Sequence, residues 1–117
     1  MKKRDLVVLK KIKRYSEEIK CTLQGVDFKQ FNSDEQMYRD KRSACSFYLF
    51  QIGELAHKLD DSFKKEHTSY NWNGAYRLRN IIGHDYEVIG NESLWQASQQ
   101  AAVKLLEYVG RLSEGVE

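Results

Sequence analysis

Apolar side chains along this chain recur at the alternating steps of four and three that mark one face of an α-helix, and no proline interrupts them. Proline is the residue that breaks a helix from within, and glycine, the next most disruptive, occurs only seven times in 117 residues. An all-α fold is the expectation. Val8, Ile12, Tyr15, Ile19 and Leu23 form a first stripe, predicting a helix from Arg4 to about Leu23. Gly25 then suits a C-cap, and Ser33, followed three residues later by Gln36, has the form of a capping box. A second helix should run from Asp34 to about Leu59, with Tyr38, Cys45, Tyr48, Ile52, Leu55 and Leu59 on one seam and Ala44, Phe47 and Phe50 widening it, a breadth that calls for more than one packing neighbour. Phe28 and Phe31, in the link before it, should fold back onto the core.

The polar stretch DDSFKKEHTSYN reads as a loop with aromatic anchors. A shorter third helix should start near Trp72 and reach about Tyr86, and EVIGNES reads as a turn with Asn91 or Ser93 capping a fourth helix. That last helix carries two apolar strips, Leu94, Ala101, Leu105, Tyr108 and Leu112 on one, Trp95, Ala102, Leu106 and Val109 on the other, the second being surface left over for a partner. An antiparallel up-and-down bundle of four helices, forming a single domain over residues 1–117, buries all the stripes most simply.

A formal charge of +2 does not by itself argue for nucleic acid. It is unevenly spread, however, because the first twenty residues include Lys2, Lys3, Arg4, Lys10, Lys11, Lys13, Arg14 and Lys20 against Asp5, Glu17 and Glu18. A basic helix face of this kind permits phosphate binding but is more often only a solubilising surface. Cys21 and Cys45, without CxxC spacing, read as reduced core residues. No run approaches the roughly 20 apolar residues of a membrane span, and no leader-like apolar region follows the first charges, so a soluble, cytoplasmic protein is expected.

The segment RLRNIIGHDY, residues 77–86, gathers arginine, asparagine, histidine, aspartate and tyrosine where an apolar helix face would do. On a helix of 100° per residue Asn80 and His84 stack at i and i+4, so that the amide can orient the imidazole, and Arg79, Gly83 and Tyr86 form the adjoining stripe. Arg79 and His84 point about 140° apart, which suits two copies facing each other across a two-fold axis better than one copy gripping a phosphate alone. A guanidinium can hold phosphoryl oxygens with a planar fork of donors, and a histidine can move protons near neutral pH. Attack of an RNA 2'-hydroxyl on its neighbouring phosphate needs no more than these. No HExxH, clustered carboxylates or Gly-rich phosphate loop is present, so no metal and no cofactor is expected. The competing reading is a hydrogen-bonded Asn80–His84 pair at a helix end beside an exposed Arg79. His57 and His67 lack such company and read as structural or surface residues.

The string RNIIGHDY resembles the RNxxxHxY signature of the HepT-like toxins, a branch of the HEPN superfamily of small helical ribonucleases. FKQFNSDEQMYRDKRSACSFYLFQIGELAHKL looks like that family's long second helix, with its IGE element at Ile52, Gly53 and Glu54, and Trp72 and ESLWQASQQ match in spacing. Asn71 stands where members often have proline. The resemblance implies a homodimeric HEPN-like bundle of four or five helices and a metal-independent endoribonuclease, with Arg79 and His84 catalytic and Asn80 assisting. It implies a minimal nucleotidyltransferase antitoxin as partner, adding AMP to Tyr86, and RNA rather than DNA as substrate. Glu54, Gly83 and Asp85 are candidate cleft-lining residues. A non-catalytic helical subunit that binds nucleotides or RNA for a nucleotidyltransferase is the alternative.

Overall fold

Each stripe read above has become a helix. A computed structural model describes residues 1–84 and 86–114, and of residues 86 and 87 the backbone alone. Its elements are α1 (Lys3–Thr22), α2 (Phe28–Phe31), α3 (Gln36–Lys58), α4 (Asp61–Glu66), α5 (Trp72–His84), a 3-10 turn (Tyr86–Ile89), α6 (Asn91–Gln100), a π-helical segment (Ala101–Leu105) and α7 (Leu106–Ser113). There is no strand among the described residues, and the molecule is an all-α helical bundle. No helix among them is long and apolar enough to cross a membrane.

α3 is the central column, packed against α1, α5 and α6. Its broad stripe is explained by these neighbours: Cys45 and Ile52 are fully buried, with Leu49 and Ala56 beside them. α1 runs antiparallel to it, since the Arg4 guanidinium donates to the Lys58 carbonyl (2.9 Å) at one end while the Lys41 ammonium donates to the Thr22 carbonyl (2.9 Å) at the other. Along this seam Leu9, Ile12 and Ile19 are fully buried. Each such side chain contributes about 1.5–3 kcal/mol of transfer free energy, which is why the stripe dictates the docking.

Several local expectations are corrected. Ser33 and Gln36 do not form a capping box, because α3 starts at Gln36, and the Ser33 hydroxyl accepts instead from the Glu35 amide at 3.1 Å. The box forms one element earlier, where the Asp27 side chain accepts from the Gln30 amide (2.8 Å) and the Gln30 side chain from the Asp27 amide (3.0 Å), starting α2. This short helix seats Phe31 fully in the core and lays Phe28 against Trp95 at 5.9 Å. Gly25 lies two residues past the α1 cap residue Leu23 and takes φ +76°, a left-handed turn open to glycine at little cost. The polar stretch expected to be a loop contains α4, which buries Phe63 as its anchor. Neither Asn91 nor Ser93 caps α6; Gly90 occupies the cap position at φ +71°, and the Asn91 amide reaches across to Asn32 (2.9 Å).

On the last helix the two strips merge. The π turn at Ala101–Leu105 carries an extra residue, which rotates the buried face from one strip to the other. Leu94 is buried before it, Ala101, Ala102 and Leu105 within it and Val109 after it, while Tyr108 and Leu112 are only half-buried. Val109, expected on the leftover surface, is thus core. The cysteines also part company: Cys45 is buried, and desolvation pushes its thiol up to about 11, whereas Cys21, about 200° around α1 from Ile19, is exposed.

α5 lies antiparallel to α3 and very close to it at Gly53. A Cβ there would collide with Arg79 Cβ and come within 2.6 Å of the Ala75 carbonyl oxygen. Gly110 on α7 has nothing within 4 Å of the same position. Gly53→Ala should therefore lower stability by about 1–3 kcal/mol through overpacking. Gly110→Ala should raise it by about 0.5–1 kcal/mol through lost unfolded-state freedom. Chemical denaturation of the two variants against the parent checks both signs.

Candidate functional site

The close approach at Gly53 delivers Arg79 onto the surface of α3. Three residues before Gly53 and one after it, Phe50 and Glu54 stand at i and i+4 on α3 and flank the guanidinium. Arg79 Nε, shielded from solvent, forms an ion pair with Glu54 Oε1, a close charge contact rather than an aligned hydrogen bond. The guanidinium carbon lies 4.5 Å from the centre of the Phe50 ring, a cation–π contact. Nη1 donates to the Asn80 side-chain oxygen at 3.0 Å. Three contacts hold a side chain that remains about a quarter exposed, 27% by side-chain area.

Gly83 belongs to the same device. A Cβ on it would press within 3.1 Å of the Phe50 ring edge and 3.7 Å of Arg79 Nη1, so the glycine keeps both groups where they are. Beside it opens a shallow groove of about 420 Å³ lined by Ser43, Ser46, Phe47, Phe50, Ile82 and Gly83. Its apolar edge is conspicuous, with Phe47 at 54% exposure.

His84 is the last residue of α5 and exposed. The expected Asn80–His84 hydrogen bond is not formed: the Asn80 oxygen is taken by Arg79, a neighbour in sequence whose charged donor is the stronger competitor. Among the described residues His84 makes no side-chain hydrogen bond. The α-helix stops at His84, and the backbone of Tyr86 already belongs to a 3-10 turn, so the helical register that would stack Tyr86 on Arg79 ends before it. The side chain of Tyr86, and Asp85 altogether, lie outside the described residues. His57 stacks on Tyr76 (3.9 Å, 10°) and His67 Nδ1 lies 3.0 Å from the Phe63 carbonyl oxygen, so both are structural, as expected.

Arg79, Asn80, Glu54 and Gly83 are therefore brought together, and His84 stands one turn beyond Asn80. Phe50 was read in sequence only as a broadening of the α3 stripe. Its i, i+4 offset from Glu54 was the available signal. Chemically, the arrangement offers a partly exposed guanidinium held for an anion and an accessible imidazole at the same helix end. Among the described residues no group of three or more His, Cys, Asp and Glu side chains is placed to hold a metal ion.

A family model described as "Ribonuclease HepT-like" matches residues 12–112. No curated protein and no solved structure matches the chain.

Because the Glu54 pair is only partly buried, its loss should cost stability no more than about 1 kcal/mol. In Glu54→Gln the melting temperature should stay within a few degrees while the Arg79 Nε–H NMR signal, sharp in the parent, broadens through solvent exchange. An unchanged signal would mean that Glu54 does not hold the guanidinium.

Proposed function

Because the chain belongs to the HepT-like ribonuclease family, we propose that it is a metal-independent endoribonuclease and the toxin of a toxin–antitoxin pair acting in the cytoplasm. The observation that carries the reading is the restraint of Arg79 by Glu54, Phe50 and Asn80, with an exposed His84 five residues on at the end of the same helix. An arginine meant only for solubility has no use for three partners. Preorganised charge aimed at a developing anion is the largest single term in catalysis of this type.

The RNA 2'-hydroxyl oxygen attacks the adjacent phosphorus and the P–O5' bond breaks, giving a 2',3'-cyclic phosphate and a 5'-hydroxyl end. The 2'-hydroxyl proton is taken up and a proton is delivered to the leaving oxygen, both by imidazole. The fork of Arg79 binds the non-bridging oxygens as their charge grows. Two copies around a two-fold axis supply two His84 imidazoles, one to take and one to give. The apolar groove bearing the exposed Phe47, beside Gly83, is a natural seam for such a homodimer. The antitoxin partner is a minimal nucleotidyltransferase that transfers AMP from ATP to the Tyr86 hydroxyl oxygen, releasing pyrophosphate. A phosphate two residues from His84 adds charge and bulk where the RNA must bind.

One observation favours the alternative of a non-catalytic nucleotide- or RNA-binding subunit for a nucleotidyltransferase: the Asn80 side-chain oxygen serves Arg79 and not the imidazole. RNA cleavage in EDTA separates the two. The parent protein should cut and leave cyclic phosphate ends, and His84→Ala, shown to be folded by thermal melting, should be slower by at least about 100-fold. Cutting by neither, with Tyr86 unmodified by mass spectrometry, moves the assignment to the binding subunit, and equal cutting by both removes His84 from the mechanism. Light scattering should give a dimer mass that Phe47→Glu converts to monomer. A monomeric parent would remove the two-copy site.

A further inference from the structure

A second groove lies away from Arg79. α5 packs on α3 and hardly touches the last helix, and between them a groove of about 480 Å³ remains open. Successive residues on α5 point about 100° apart, so that Leu78, with Gly74 and with Asn71 just before the helix, lines this groove, while Arg79 and Gly83 belong to the candidate ribonuclease site. The two regions share no lining residue.

The groove has an apolar floor and a polar rim. Leu49, Ile52, Ala75 and Leu78 make the floor; Ser69, Asn71, Gln100 and Lys104 stand on the rim. Six of its twelve lining residues are polar, counting Tyr70 and Tyr108, which is not the lining of a mere packing gap. Lys104 is the sole charged residue among them.

One end is a built aromatic corner. The buried Trp72 indole donates to the His67 carbonyl at 2.7 Å and is thereby fixed. Tyr70 meets it edge-on at 4.9 Å and Tyr108 lies nearly parallel to it at 6.2 Å, so both groove-lining rings are held by one anchor. The opposite wall carries the π turn, with Gln100 immediately before it and Lys104 inside it. Such turns are rare, and they concentrate at functional sites.

We propose that this groove binds a small planar aromatic molecule carrying one anionic group, with its ring against Tyr70 and Tyr108 and its anion on Lys104. The apolar floor accepts the ring and the Asn71, Gln100 and Ser69 side chains supply hydrogen bonds to its edge. One ammonium balances one negative charge, and the neutral remainder of the lining gives a second charge no partner. An aromatic carboxylate and a nucleoside monophosphate both present this chemistry, and the test tells them apart.

Titrate the full chain with indole-3-acetate and, separately, with AMP, using indole and inorganic phosphate as controls, and follow amide NMR shifts. Saturable shifts at Tyr70, Gln100, Lys104 and Tyr108 with either aromatic anion, and much weaker ones with both controls, are expected; which anion binds more tightly identifies the source. Lys104→Gln, at an exposed position, should weaken binding about tenfold with the fold intact. Ala97→Leu, filling the groove from the α6 side, should abolish it. Phosphate binding as well as the aromatic anions would overturn the proposal, as would shifts confined to Arg79 and His84, or none up to millimolar ligand.

Discussion

Everything distinctive about this bundle depends on how closely α5 can lie on α3, and that is decided by the missing side chain at Gly53. With the Ala75 carbonyl where a Cβ would be, the helices are in backbone contact over one turn. That proximity puts the Arg79 stem directly on α3, so that Phe50 and Glu54 need only their ordinary i, i+4 spacing to flank the guanidinium. A helix pair at the usual 8–10 Å separation would leave Arg79 extended into water, where a single ion pair gains little. Stacking of His57 on Tyr76 closes the same contact on the other side. The site is a product of interhelix distance before it is a product of catalytic residue types.

Much of this was legible in the sequence, and the reason is periodicity. The α1 and α3 stripes depend on sums over many residues, and no single side chain can overturn them. What sequence reading missed were choices between near-equal local options. Ser33–Gln36 and Asp27–Gln30 both fit a capping box, and Phe31 decided between them: starting a helix at Phe28 drives that ring to full burial. The π turn has no composition signature, so Val109 and Tyr108 exchanged their expected places. At the site, Arg79, Asn80 and Gly83 could be named from the RNxxxH spacing, but their pairing could not. A helical wheel ranks Asn80 with His84, whereas the structure ranks it with the adjacent charge.

Buried polar groups show the same limit. Asp5, 2% exposed, would be an error on an apolar stripe unless it had a partner; it accepts from the Asp60 amide at 3.1 Å and so fixes the start of α4. Arg42 is likewise buried and donates to the carbonyls of Phe31 and Ser33, tying the α2 turn to α3. None of these partners is predictable from spacing, since all are backbone groups at or just beyond helix ends. Long-range satisfaction of this kind is visible only once the chain is folded.

α5 is the least buried of the long helices, with only Trp72 and Ala75 inside. A helix of 13 residues is marginal alone in water, so α3 supplies most of what keeps it helical, along one narrow line of contact. The rest of its circumference is left free for polar chemistry: Arg79, Asn80 and Gly83 on one flank, Asn71, Gly74 and Leu78 on the other. Occupying either flank would stabilise the same marginal element, because ligands that bind only the folded helix add to its stability. If both flanks are sites, they would be coupled through the position of α5 against Gly53, and a molecule seated in the groove would bear on how firmly Arg79 is held.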